Sequence, residues 1–206
     1  PVRPTPPPAG TPKPPTATKQ IRVNGVDVSI IDEEVTYLDQ NGNLVKQNLD
    51  SCVKNNILTQ YPDYEDFRKA WLLAKDKARF AAELLLDDEW GRRFRIQYGY
   101  TVDDFDIIAY LGYDIEPPMS KHQRTHNAAI ARLLDMMDDE KKEIVRTLLD
   151  AYAETNFQNL RDIKTVFSMP AFTEMGYTPL KIIKDYFGSK DKYFLFLSEL
   201  ENKLYE

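Results

Sequence analysis

The chain has few of the residues that most enzyme sites depend on. It contains one cysteine, two histidines and eight glycines in 206 residues. A single cysteine cannot form an internal disulfide, which favours a reducing compartment. The glycines are not clustered and nothing resembles GxxxxGK[ST], so the sequence offers neither a phosphate-binding loop nor a dinucleotide fingerprint.

Long apolar runs are also missing. None approaches the roughly 20 residues that cross a bilayer as a helix, and the first residues lack the pattern of a secretory signal. We therefore expect a soluble, cytoplasmic protein with no membrane partner. The formal net charge of −6 argues against a domain that coats nucleic acid, because such domains are usually basic. A local basic face remains open.

Proline is concentrated at one end. Eight of the 13 prolines lie in PVRPTPPPAGTPKPPTATKQ, residues 1–20. Proline fixes φ and removes an amide donor, so this stretch predicts an extended interdomain linker. Its PxxP spacings would also suit a ligand for aromatic grooves. Residue 1 is proline with no methionine before it, so we expect a piece cut at a domain boundary; removal of an initiator methionine would look the same.

Residues 21–47 alternate apolar and polar side chains around two Asn-Gly pairs. Asn24-Gly25 and Asn41-Gly42 supply the positive φ angles of two-residue hairpin turns. This segment therefore predicts a small antiparallel β-meander. A sheet of this size has one apolar face, which needs a helix to cover it.

Residues 48–206 have apolar side chains at three- and four-residue spacing, which is typical of amphipathic helices. The expected helix starts are Asn48, Pro62-Asp63, Thr101-Val-Asp-Asp104, Ser120 and Thr178-Pro179. The stripes expected to be buried are Leu49, Cys52, Val53 and Ile57; Tyr64, Phe67 and Trp71; Phe105, Ile108 and Leu111; and Tyr193, Leu197, Leu200 and Leu204. The predicted fold is mainly α: a bundle-like helical domain preceded by the meander, and the fragment is expected to be monomeric alone.

The reactive side chains suggest no catalytic site. Cys52 lies on an apolar stripe, so we expect a core thiol rather than a reactive one. His122 and His126, in HQRTH, have a spacing that can bind a metal, but Gln123 replaces the glutamate of the zinc-protease pattern and no third ligand is evident. A solvated basic face there, with Lys121 and Arg124, is the favoured interpretation.

Other catalytic classes are disfavoured as well. Asp63 and the run Glu140-Lys141-Lys142 offer the residue types of a metal-dependent nuclease, yet both lie in helical patterns, where caps and ion pairs explain them better. No histidine base has an orienting partner for a triad. We expect this fragment to have no catalytic, metal or cofactor residues of its own.

One stretch mixes cations with aromatics. Arg92, Arg93 and Arg95 lie near Trp90 and Tyr98, a composition seen on nucleic-acid faces. The acidic residues 87–89 precede them and weaken the local field, so an ordinary solvated helix is favoured over a binding patch. The candidate contacts to a partner or to DNA are Arg92, Arg93, Arg95, Lys121 and Arg124.

Four stretches, taken in order, resemble the C-terminal region of the R subunit of type I restriction enzymes. They are VNGVDVSIIDEEVTYLDQNGNLVKQNLDSCVKNNIL, YEDFRKAWLLAKDK, DDFDIIAYLGYDIEPPMSKHQRTHN and MPAFTEMGYTPLKIIKDYFGSKDKYFLFLSELENKLYE. They cover residues 21 to 206. The chain differs from the family in its Gly112-Tyr113 pair and in its proline-rich lead.

The resemblance implies that the whole subunit is an ATP-driven DNA translocase and endonuclease whose motor and nuclease domains precede this chain. ATP and Mg²⁺ would bind outside it. Its implied role is to dock the motor onto the methylation and specificity subunits, with DNA reached through the whole complex. Two rivals remain: an auxiliary DNA-binding helical domain, and a free-standing enzyme, which the missing motifs disfavour.

Overall fold

The structure is a computed structural model that describes residues 19–23, 26–31, 34–38, 41–115 and 118–206. They form two compact units, divided after Cys52. The first contains a four-stranded sheet and the second is helical. The predicted mainly α fold with a small N-terminal meander is therefore confirmed. Within the described ranges, no helix combines the length and apolarity that a bilayer crossing requires.

The sheet is an antiparallel meander in the order β1-β2-β3-β4. Its strands are β1 (Lys19–Val23), β2 (Val26–Ile31), β3 (Glu34–Leu38) and β4 (Leu44–Asn48). The turn predicted at Asn24-Gly25 and most of the predicted linker 1–20 lie outside the described residues.

The second predicted turn is longer than expected. Leu38 pairs with Leu44, so the paired strand ends are further apart in sequence than a two-residue turn at Asn41-Gly42 requires. Gly42 nevertheless has a φ of +80°, a conformation that glycine adopts without steric cost. The Asn-Gly pair identified the hairpin but not its loop length.

Twelve α-helices follow within the described residues, connected in places by tighter or wider turns. They are α1 (Leu49–Gln60), α2 (Tyr64–Leu73), α3 (Lys77–Leu84), α4 (Asp88–Tyr98), α5 (Asp104–Tyr113), α6 (Lys121–Arg124), α7 (Ala128–Asp135), α8 (Asp139–Glu154), α9 (Ile163–Val166), α10 (Pro170–Thr173), α11 (Pro179–Ile182) and α12 (Lys190–Leu204). A 3₁₀ segment covers Phe157–Arg161 and a π-helical one covers Ile183–Phe187.

Most helix starts follow the predicted caps. The side chain of Asn48 accepts from the amide of Asp50 at 2.8 Å, and Ser120 forms a reciprocal capping box with Gln123. The start predicted at Thr101-Val-Asp-Asp104 is confirmed, and its capping residue is Asp103 rather than Thr101: the Asp103 carboxylate accepts from the amide of Phe105. The helix itself begins at Asp104.

The predicted stripes of α1, α5 and α12 are buried, including Cys52. Burial raises the pKa of that thiol, as expected for a core cysteine. Four rings form the centre of the helical unit: Phe67 stacks on Phe105 at 5.1 Å between centroids, and Tyr205 lies 4.7 Å from Phe105 and 5.9 Å from Trp71.

Gly112 allows α1 and α5 to approach closely. A Cβ at this position would lie 2.7 Å from Cγ2 of Ile57, closer than packed carbon atoms tolerate. The next residue, Tyr113, donates its hydroxyl to the carbonyl of Tyr61 at 2.8 Å. The Gly112-Tyr113 pair therefore holds the end of α5 against α1 and the turn after it.

We predict that Gly112→Ala destabilises the chain by about 1–3 kcal/mol, because the added methyl group overlaps Ile57 in a packed interior. Urea unfolding monitored by circular dichroism measures the change. Gly91→Ala is the matched control: it also lies within a helix, but its nearest contacts are at 3.7 Å, so alanine should be neutral or add about 0.5–1 kcal/mol. Equal effects of the two substitutions would contradict the close approach.

Candidate functional site

A buried ion pair joins two helices of the second unit. Arg124 of α6 is 5% exposed, and its guanidinium donates from Nε and Nη2 to the two carboxylate oxygens of Asp106 on α5. Its Nη1 donates to the carbonyl of Leu204 at 2.5 Å. The same guanidinium lies 5.1 Å from the ring of Phe105 and 4.8 Å from that of Tyr205. Arg124 thus connects α5, α6 and the end of α12.

Burial and pairing shift the pKa values of Asp106 and Arg124 in opposite directions. Burial raises the pKa of Asp106 to about 6, although the charge and hydrogen bonds of Arg124 oppose the shift. Burial lowers the pKa of Arg124, but the Asp106 carboxylate outweighs it and the net shift is upward. Both groups are therefore charged at neutral pH, which is the state that a bidentate pair requires.

Asp103 organises a second buried cluster next to this pair. Its Oδ2 accepts from the hydroxyls of Tyr152 at 2.8 Å and Tyr205 at 3.0 Å, while its Oδ1 caps α5. Burial, and next the charge of Asp103, raise the pKa of both tyrosines, so both remain protonated donors. The carboxylate thereby links α5, α8 and the residue after α12.

The last carbonyls of α12 are held by side chains from other elements. Arg68 donates to the carbonyl of Tyr205 at 2.6 Å, and Asn127 donates to that of Lys203 at 2.9 Å. Arg124 donates to the carbonyl of Leu204 in the same way. Three side chains therefore bind carbonyl groups that a helix end leaves without partners. Two of the three are cationic, which also suits the negative end of the helix dipole.

A cleft of about 530 Å³ lies beside these clusters. Asp103, Tyr152 and Tyr205 contribute to its lining, as do Arg95 and Lys121. Most of its polar groups have a partner within the helical unit. The hydrogen bonds of Asp103 with Tyr152 and Tyr205 join three segments of the chain at this cleft, so the arrangement is suited to holding helices in place.

Helix α4 presents an exposed surface next to this cleft. Arg92 and Arg93 stand four and three residues before Ile96, at the spacing that brings helix side chains together. Exposed Glu89 stands three and four residues before the two arginines. Ile96 is 59% exposed, and Tyr100, which is 69% exposed, lines the cleft with Arg95.

The structure separates the five arginines and lysines predicted as contacts. Arg92 and Arg93 are exposed. Arg95 forms a bidentate ion pair with Asp104, at 2.7 Å for each bond, and Lys121 is half-buried and donates to the carbonyl of Thr155. Arg124 is buried, so the prediction that it belongs to a solvated basic face was wrong. A guanidinium paired with a carboxylate inside the core is not available to a partner.

The two histidines lie together without a third ligand. Their ring centroids are 4.8 Å apart, and Nδ1 of His126 is 2.9 Å from the carbonyl oxygen of His122. They line a second cleft, of about 440 Å³, together with apolar residues such as Ile130 and Leu134 and charged ones such as Arg146. In the part of the chain that the structure describes, no three His, Cys, Asp or Glu side chains converge as a metal site.

Comparison with known proteins identifies the chain. Residues 47–205 match the family described as EcoEI R protein C-terminal. The chain is also 30% identical, over 188 residues, to the type I restriction enzyme EcoAI endonuclease subunit of Escherichia coli.

The chain belongs to the EcoEI R protein C-terminal family. The matched segment with the E. coli subunit covers 91% of this chain but 23% of that subunit. No solved structure matches the chain. The resemblance inferred from the four sequence stretches is confirmed, and the chain corresponds to a part of a larger relative.

Sequence reasoning missed the buried charges of this family member. Asp106 lies between the buried residues Phe105 and Ile107 on α5, and Glu201 lies beside Leu200 on the buried side of α12. Glu201 pairs with Lys77 at 3.0 Å and with Arg161 at 3.3 Å. A charged residue inside an apolar stripe was the available signal, because such residues are rarely buried unless they are paired.

We predict that Asp106→Asn and Arg124→Met each destabilise the chain by about 3–5 kcal/mol, because each leaves the opposite charge buried without a counter-ion. Asp106→Asn combined with Arg124→Met should cost much less than the sum of the two single changes. Urea unfolding of the single and double variants measures the coupling. Additive losses would show that the two groups do not depend on each other.

A second prediction separates the arginines of α4. Arg95→Ala should cost about 1.5–3 kcal/mol, because it removes a charge-assisted pair that is only partly exposed. Arg92→Ala with Arg93→Ala should cost less than about 1 kcal/mol, since the loss is limited to the contact of the exposed Arg93 with the Trp90 ring. Thermal unfolding compares the variants, and a larger loss for the Arg92/Arg93 pair would contradict the assignment.

Proposed function

We propose that this chain is the assembly domain of a type I restriction enzyme R subunit. In this role it docks the motor and nuclease parts of that subunit onto the methylation and specificity subunits, and it catalyses no reaction itself. The observation that carries the proposal is the match of residues 47–205 to the C-terminal family of R proteins. The likeness to a restriction endonuclease subunit over 91% of the chain supports it.

The use of the buried charges also supports a structural role. Asp103 caps α5 and accepts from two tyrosines; Asp106 is paired with Arg124, and Glu201 with Lys77 and Arg161. Each of these acids joins segments distant in sequence. Such pairs hold the helices of the unit in fixed relative positions.

The other parts of the proposal follow from the family. The ATP and Mg²⁺ of an R subunit would bind to domains outside this chain, and DNA would be reached through the assembled complex. The proposed location is the cytoplasm, and the chain is proposed to be monomeric when isolated.

Incubating this chain with purified methylation and specificity subunits from the same organism tests this function. We expect a stable complex in analytical ultracentrifugation, with a dissociation constant in the micromolar range or below, as for other specific interfaces. The same chain should bind a DNA duplex weakly over a salt series. It should leave duplex DNA intact when Mg²⁺ is present.

Two results would contradict the proposal. The chain would be a DNA-binding domain if it does not bind the subunits but binds duplex DNA with an affinity that falls steeply as the salt concentration rises. A chain that cleaves DNA in the presence of Mg²⁺ is a nuclease.

A further inference from the structure

An exposed turn of the first unit contains an asparagine that is followed by glycine. Asn41 and Gly42 precede β4, and both are exposed to solvent. The pairing of β3 with β4 ends at Leu38 and Leu44, so the two residues are not part of the ladder of paired positions. A Cβ placed on Gly42 would meet no atom within 4 Å. The space beside Gly42 is therefore open, and water reaches this dipeptide.

The dipeptide holds a nucleophile and an electrophile close together along the chain. A bond from the main-chain nitrogen of Gly42 to Cγ of Asn41 closes a five-membered ring. Groups that belong to one chain react far faster than the same groups in separate molecules. Glycine has no Cβ, so its backbone reaches conformations that other residues avoid, and no side chain obstructs the attacking nitrogen.

The other asparagines that the structure describes lack this combination. Asn43 is exposed in the same segment, but Leu44 follows it, and the leucine side chain crowds the amide nitrogen that would attack. The remaining ones lie in helical segments or cap them, as Asn48 and Asn127 do. A helix fixes the backbone in a geometry that keeps the next amide nitrogen in its own hydrogen-bonding position.

The reaction that this geometry allows needs only water. The nitrogen of Gly42 loses its proton to base and bonds to Cγ of Asn41. The bond from Cγ to the side-chain nitrogen then breaks, and that nitrogen takes up a proton and leaves as ammonia. Water opens the resulting cyclic imide at either of its carbonyl carbons. Attack at Cγ gives aspartate, whereas attack at the main-chain carbonyl gives isoaspartate.

Isoaspartate changes the connection between the two strands. Its main chain runs through the former side chain, which adds one carbon atom to the path from Leu38 to Leu44 and leaves a new carboxylate in the turn. Pairing in a hairpin depends on the type and length of the connection. The added atom therefore acts on the paired ends of β3 and β4.

We propose that Asn41 is a site of spontaneous deamidation, and that its isoaspartyl product weakens the pairing of β3 with β4. The site precedes residues 47–205, which carry the family match. The inference does not depend on the proposed assembly function.

Mass spectrometry of the whole chain, stored folded in mildly alkaline buffer, tests the chemical step. Tandem spectra assign each modified position, and synthetic peptides identify isoaspartate and aspartate by their retention times. We expect both products at Asn41, with isoaspartate in excess. The reaction should be slower in mildly acidic buffer, because the attacking nitrogen of Gly42 must lose its proton.

Asn43 is the matched control, because it is exposed in the same segment. We expect its amide to be lost at least about 30-fold more slowly than that of Asn41, which corresponds to about 2 kcal/mol in the barrier. The rate at Asn41 should lie within about tenfold of its rate in the same chain unfolded in urea, or about 1.4 kcal/mol. Asn41→Gln should prevent the reaction, since its ring would need six members, and Asn43→Gln should leave the rate at Asn41 unchanged.

Hydrogen exchange tests the effect on the hairpin. The isoaspartyl chain is separated by hydrophobic-interaction chromatography and compared with the Asn41→Asp variant, which has the same charge without the added main-chain atom. We expect the amides of residues 44–46 in β4 to exchange faster in the isoaspartyl chain than in the variant. Exchange in the helices of the second unit should be the same in both, because local opening can be confined to one part of a structure.

Three results would overturn the proposal. If Asn41 keeps its amide in the folded chain and loses it in urea, the folded turn prevents ring closure and the site is wrong. If aspartate is the only product, the amide is hydrolysed directly and no cyclic imide forms. If the isoaspartyl chain and Asn41→Asp exchange equally at β4, the added atom does not weaken the pairing.

Discussion

The ion pair of Asp106 with Arg124 is the interaction on which the rest of the helical unit depends. A guanidinium in the interior is tolerated only if nearly all of its donors are used. Here two nitrogens reach Asp106 and the third reaches the carbonyl of Leu204, while two aromatic rings flank the group. These requirements can be met only when α5, α6 and the end of α12 occupy one arrangement.

Several other buried groups reinforce the same arrangement. Asp103 accepts hydrogen bonds from the hydroxyls of Tyr152 and Tyr205, and Glu201 forms ion pairs with Lys77 and Arg161. Buried ion pairs contribute little net stability compared with apolar side chains of the same size, but breaking one is strongly unfavourable. Their effect here is to disfavour alternative packings of short helices, whose apolar stripes alone could fit together in several ways.

A rigid interior matters for the proposed role. Helix α4 has 11 residues, and its cap, its buried rings and the ion pair of Arg95 with Asp104 leave it little freedom to adjust. In the proposed role, such a domain would offer its partner a fixed surface rather than a flexible one. The proline-rich residues 1–20, predicted as an extended linker, would precede this rigid part.

The sequence by itself determined the local structure and the family. Alternation around Asn-Gly predicted the meander, and apolar spacing with Asn48, Ser120 and Thr178 predicted most helices, because caps and amphipathic stripes act between residues close along the chain. Only the tertiary structure decided which charged side chains are buried and which are exposed. HQRTH looks like a solvated basic face, yet Arg124 is buried, because its partners Asp106 and Leu204 are 18 and 80 residues away and no local pattern can specify such distant contacts.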